Sequence, residues 1–326
     1  MHKQWWSPSW LIMSVLTALA VHAPLSWAQA TSYPNKLIKF VVSFPAGSAT
    51  DIAARLIAPQ LTKMTGQPII VENKGGASGI LACEAVAKAP PDGYTLLVTT
   101  GTTHAANPSL FKKLPYDPVK DFSPITPYSR SAFVLVVTPM FPAQNVADLV
   151  KLVRANPDKY TFASGNAPSR IGGEMFVMMS NTRMTHVPYK GAPQALTDLL
   201  GGQVSMIWSD LRTAIPMVQS GKLKALAATG RNRLRTIPNV PTMIEQGFPD
   251  YELFNWGGVY APAMTPPEIV SKLNALIHAA VRADIPAHEA AGGEINLLSP
   301  AEFARLQAQD TAMWARVTKA AGIEKE

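Results

Sequence analysis

Short apolar runs recur along the chain, and the stretches between them carry apolar residues at helical spacing. Strand-like runs are LIKFVVSF, PIIVENK, YTLLVTTG, AFVLVVTP, YTFASG, THVPYKG, VSMIWSD and LKALAATG. Helical patterns fall at Asp51–Met64, Ala77–Lys88, Ala147–Asn156, Ile171–Asn181, Pro193–Leu200 and Pro267–Val281. A last one runs from Pro300 to about Lys319, opened by Ser299 as an N-cap. Strands alternating with helices predict an α/β fold with largely parallel sheets. Pro59 interrupts the first helical pattern, so a kink there, or an end near Ala58 and a restart, is expected.

Two segments break the alternation. Ser129–Pro139 is apolar and follows the proline-spaced LPYDPVKDFSPITP, while NWGGVYAP (255–262) is an extended run broken by glycines. If the chain crosses between two lobes at both, residues 31–132 plus 253–326 form one lobe and 133–252 an inserted second, each a mostly parallel sheet flanked by helices.

The strand-to-helix turns hold the candidate chemistry. In VVSFPAGSATDIAAR, Pro45 stops a strand, Gly47 frees the backbone, and Ser48, Thr50 and Asp51 compete for the N-cap. The first helical turn then offers free N–H groups beside small side chains, which suits an anion. No Gly-Lys-Ser/Thr follows, so this is not a nucleotide loop. Arg55 is spaced to pair with Asp51. TFASGNAPSRIGGEMF repeats the design with Ser164, Gly165, Asn166 and Ser169. Such turns are structural more often than functional, but two of them at carboxyl ends of strands lie where open α/β sheets bind ligands. Further candidates are Thr99, Thr100, Thr102, Thr103 and His104 in a threonine-rich turn, Tyr189 and Lys190 in HVPYKG, and Trp208, Ser209 and Asp210 in VSMIWSD. For Trp208, a place in the core competes with stacking on a ligand. GGASG lacks the spacing of a dinucleotide fingerprint and is expected to be a tight turn.

Composition narrows the setting. The first thirty residues hold Lys3, an apolar run from Trp10 to Ala20, and Ala28-Gln29-Ala30, as expected of a cleavable signal peptide at 1–30. Four of the seven Trp lie there. The remaining 296 residues carry 28 basic and 22 acidic side chains, a net of +6, with no basic cluster interleaved with aromatics. Anionic small molecules fit this charge better than nucleic acid. Cys83 is the single cysteine, so an exported chain has no internal disulfide and must rely on its core. An inert buried thiol is expected there.

The motifs YPNKLIKFVVSFPAGSATDIAAR, GQPIIVENKGGASG, PPDGYTLL, LPYDPVKDFSPI, FASGN, HVPYKGAPQALTDLLGGQV, GKLKALAATG and IPNVPTMIEQGFPDYE span nearly the whole chain after the leader. They resemble the periplasmic solute-binding receptors of tripartite tricarboxylate transporters, the Bug family. The resemblance implies a two-lobed periplasmic-binding-protein fold of type II-like form, joined by two crossing segments, with flytrap closure, no catalysis and no cofactor. It further implies that Phe44, Pro45, Ala46, Gly47, Ser48, Ala49, Thr50 and Asp51 close on a carboxylate opposite Ser164, Gly165, Asn166 and Ser169, partly through water. Thr99–His104 corresponds to the family's threonine-rich loop. Departures are Ala46-Gly47-Ser48-Ala49 where glycines are common, Ser205 after GGQV where an acid is common, and Trp208-Ser209 where Phe is usual.

On these grounds a periplasmic, monomeric receptor for a small organic acid is expected, with transporter subunits as partners. A membrane sensor kinase is the alternative partner, and a pull-down with and without ligand separates the two. An exported hydrolase is the rival class. It lacks support, because His104, His186, His278 and His288 are scattered without a zinc motif and no G-x-S-x-G elbow occurs. A Ser48–His104–Asp51 triad can be drawn, but no spacing fixes it.

Overall fold

The computed structural model describes residues 1–2 and 33–326, so the expected signal peptide lies outside the described residues. Lys36–Glu326 form one compact unit. In chain order its elements are β1 (Ile38–Val42), α1 (Ala49–Thr65), β2 (Ile69–Asn73), α2 (Ile80–Ala87), β3 (Thr95–Thr100), α3 (Asn107–Leu110) and β4 (Phe122–Val137). There follow α4 (Val146–Ala155), β5 (Thr161–Ser164), α5 (Ala167–Ser180), β6 (Thr185–Pro188), α6 (Ala192–Leu200), β7 (Met206–Asp210), α7 (Leu211–Gln219) and β8 (Lys224–Ala228). The chain ends with β9 (Phe254–Pro262), α8 (Pro267–Arg282), α9 (Ile285–Ala290), β10 (Glu294–Ile295) and α10 (Pro300–Ala320).

The strands pair in the order β2-β1-β3-β9-β4-β7-β5-β6. β1 lies parallel between β2 and β3, and β5 lies parallel between β6 and β7, so each half has a parallel core. The antiparallel pairs are those made by β4 and β9. β4 belongs to both halves. Its residues up to Ala132 pair with β9, and from Phe133 onward it pairs with β7, where Phe133 faces Asp210. Ala132 is paired with Phe254, so the two segments expected as crossings lie side by side in the sheet.

Thr229 ties those crossings together. Its N–H donates to the Phe133 carbonyl (2.9 Å), and its hydroxyl accepts from the Phe133 N–H (2.8 Å) and donates to the Leu253 carbonyl (2.7 Å). The Leu253 N–H completes the set on the Thr229 carbonyl at 3.1 Å. The residue is fully buried, where each of these groups would be expensive unpaired.

Apolar side chains fill both faces. Phe122, Tyr260, Phe303 and Trp314 belong to the core around β9 and α10, whereas Phe162, Phe176, Trp208 and Tyr251 belong to that under β7 and α5. α1 continues through Pro59, which is exposed on the solvent side, so the helix neither ends nor restarts there. Cys83 is buried and free, its thiol pushed by burial up to about 12. No described helix is long and apolar enough to cross a membrane.

Candidate functional site

Where the two sheet halves meet, a narrow cavity of about 30 Å³ opens beside the start of α1. Ala49 and Thr50 line it from that helix, and Thr100 from the end of β3. Amides in a helix's first turn lack intrahelical partners, so these residues bring the positive end of α1 to the cavity. Tyr128, Ser129 and Ser131 come from β4, and Asn255, Trp256 and Gly257 from β9. Asp210 and Arg212 close it at the β7–α7 junction. A side chain at Gly257 would overlap the Tyr128 ring, so the glycine in NWGG is what lets that ring lie flat over β9.

The first turn is built around Asp51. Ser48 is the N-cap, its Oγ accepting from the Asp51 N–H at 3.3 Å. The Asp51 carboxylate accepts from the Gly47 N–H (2.9 Å), Arg55 Nε (3.0 Å) and Asn73 Nδ2 (2.9 Å). Burial raises its pKa, but the bonds from Arg55, Gly47 and Asn73 outweigh burial and hold the carboxyl below its ordinary value. Asp51 therefore folds the loop, and its oxygens are already spent. Of the other residues expected there, Phe44 is buried, Pro45 half-buried, and Ala46 and Gly47 exposed.

In the second turn the polar groups are likewise engaged, but differently. Asn166 caps α5, its Oδ1 accepting from the Ser169 N–H (2.9 Å), while its Nδ2 donates to Asp210 Oδ2 (2.8 Å). Ser164 Oγ shares a 2.7 Å hydrogen bond with His186 Nε2, and the Ser169 hydroxyl donates to the Trp208 carbonyl. None of Ser164, Gly165, Asn166 and Ser169 lines the cavity; the turn reaches it through Asp210. The start of α6 lies between the two turns, since an added Cβ at Gly191 would come within 2.8 Å of the Pro45 ring and one at Gly165 would overlap Gly191 and Ala192.

Several candidates lie in packing rather than in the cavity. Trp208 is fully buried, its ring edge-on to Phe162 and tilted against Phe176. His104 is fully buried and stacked on Tyr260 at 3.9 Å, with Nδ1 on Thr103 Oγ1 (2.8 Å); burial alone lowers its pKa to about 3, so it stays neutral. With His104 in the core, the Ser48–His104–Asp51 triad does not assemble. Thr102 is fully buried in a π-helical turn, Thr102–Ala106, its hydroxyl without a partner among the described residues. Ser209 hydrogen-bonds Thr213 Oγ1 at 3.0 Å, and the Tyr189 hydroxyl donates to Asp198. From the residues singled out in sequence, Ala49, Thr50, Thr100 and Asp210 reach the cavity.

Sequence inspection missed Tyr128, Ser131, Asn255, Trp256 and Arg212. The crossing segments had flagged Ser129–Pro139 and NWGGVYAP, but as connections rather than walls. Asp210 is only 7% exposed, and burial pushes its carboxyl up to about 6 despite the Asn166 bond and the nearby Arg212. Among the described residues no group of His, Cys, Asp and Glu could hold a metal ion.

Comparison with known proteins identifies the family. The model of the tripartite tricarboxylate transporter family receptor matches residues 53–323. Protein BugT of Bordetella pertussis is 32% identical over 319 residues, covering 96% of this chain and 97% of that protein. Among solved structures, R. palustris Rpa4515 with adipate superimposes with a TM-score of 0.88 at 34% identity, covering 90% of this chain and all of the other. MatC from Rhodopseudomonas palustris with bound malate gives 0.81 at 33% identity, over 87% and 99%. The α/β periplasmic-binding-protein architecture expected from the sequence is the one these structures share, and the family is one of solute-binding receptors rather than enzymes. From the family model that matches residues 53–323 and from relatives aligned over nearly the whole chain, the chain belongs to the receptor family of the tripartite tricarboxylate transporters.

Proposed function

We propose that this protein is an exported, periplasmic receptor that captures a small organic acid in the cavity between its sheet halves and delivers it to a membrane transporter. The observation that carries this reading is the convergence of the α1 N-terminus with the hydroxyl-bearing residues Thr50, Thr100 and Ser129 on one cavity, a setting that favours a carboxylate. Relatives solved with adipate and malate support the same ligand class.

A space of about 30 Å³ matches one water molecule rather than an organic acid. Entry therefore requires the halves to part, with residues 31–132 plus 253–326 moving against 133–252 about the two crossings. Ligand then favours the closed arrangement, and the transporter reads that arrangement.

A thermal-shift screen of mono- and dicarboxylates tests the reading. An acid at 100 times its dissociation constant stabilises the fold by about 2.7 kcal/mol, a clear rise in melting temperature. If sugars, amines and carboxylates all leave the melting temperature unchanged, the receptor assignment fails.

A further inference from the structure

Arg212 lines the cavity, and the proposed function leaves it unused. It is 5% exposed, yet neither Nη1 nor Nη2 has a hydrogen-bond partner among the described residues. The backbone holds it in place, since a side chain at Gly293 would overlap its Nη2. Asp210 lines the same cavity but gives its Oδ2 to Asn166 rather than to the guanidinium. A buried cation without partners is costly, and evolution seldom leaves one unless something completes it. A guanidinium presents two parallel N–H donors, the geometry that takes a carboxylate bidentately.

Adding a carboxylate to Arg212 would leave Asp210 as a second buried anion nearby. That arrangement is tolerable only if Asp210, whose Oδ2 already accepts from Asn166, meets a further donor from the ligand. Resting on the carboxylate-receptor reading, we propose that Arg212 is the counter-charge of the captured carboxylate, and that Asp210 accepts from a hydroxyl or ammonium on the adjacent carbon. The ligand class is then a 2-hydroxy or 2-amino acid rather than a plain carboxylic acid.

Isothermal titration of the purified protein with matched sets tests both halves: malate, aspartate and succinate; lactate, alanine and propionate; mandelate, phenylglycine and phenylacetate. The hydroxy or amino member of one set should bind at least about 10-fold tighter than its unsubstituted partner, as expected when a buried acceptor loses its donor. Arg212→Met should weaken that ligand by about 100-fold, with Arg212→Lys in between. Unliganded Arg212→Met should melt no lower than wild type, because it removes an unpaired charge. A merely structural arginine would instead lower melting, and that result, or R212M affinity within about threefold of wild type, overturns the Arg212 assignment while leaving the receptor reading standing. Equal affinity for substituted and unsubstituted acids overturns the role of Asp210. Failure of every acid to bind wild type sinks the receptor reading and this inference together.

Discussion

Asp51 lies in the first helical turn after β1 and Asp210 at the end of β7, one in each half of the sheet, and both are buried, at 3% and 7% exposure. Their chemistry runs in opposite directions. Asp51 is surrounded by donors from Gly47, Arg55 and Asn73, so its charge is stabilised despite burial. Asp210 has a single side-chain donor, Asn166, and burial prevails. The lesson is that burial alone does not set a carboxyl's charge; the supply of donors does. One turn is complete in itself, and the other is left short of partners at the place where a guest would enter.

The glycines of the two turns give the largest test of that contrast. Gly165 lies against the Ala192 backbone, which an added Cβ would overlap, whereas Gly47 has φ +76° with its nearest neighbour 3.8 Å away. Gly165→Ala should cost about 3 kcal/mol or more by overpacking, measured by denaturant unfolding. Gly47→Ala should cost only the left-handed backbone, about 1–2 kcal/mol. A reversed order would break the contrast.

Next come the carboxyls themselves. At pH 7, Asp51→Asn should destabilise by about 2 kcal/mol, since charge-assisted bonds are lost. The signs of the pH dependence then separate the pair. Asp51 has a lowered pKa in the fold, so its contribution is present above the ordinary value of 3.8 and vanishes as pH falls below it. Asp210 has a raised pKa, so its contribution is full below 3.8 and is lost as pH rises through about 6. Calorimetric melting of wild type against Asp51→Asn and Asp210→Asn, from pH 3 to 7, should show difference curves of opposite slope. Parallel curves would remove the distinction.

The smallest effect belongs to the caps. Ser48→Ala should cost about 1 kcal/mol, and Asn166→Ala more, because Asn166 caps α5 and also holds Asp210. Equal losses in urea titrations would mean that the Asp210 bond adds nothing.

The alternation of strands and helices was legible because its periodicities are local. α7 escaped notice because it begins at Leu211, immediately after Asp210 ends β7, with no loop between them. The π-helical turn at Thr102–Ala106 has no sequence signature either. At the site, the turns could be located by their Gly, Ser and Asn, but their partners could not. Tyr128 meets Gly257 only because β4 and β9 pair across a long stretch of chain. Arg212 was unreadable for a different reason: arginine is so rarely buried that its charge looks like ordinary surface.

Thr229 carries a consequence for motion. With four hydrogen bonds divided between Phe133 and Leu253, it pins both strands that leave one half for the other. In the opening proposed above, neither strand would bend without disturbing that knot, so both halves would swing about this one pin. Thr229→Val would loosen the pin while leaving every wall of the chamber intact.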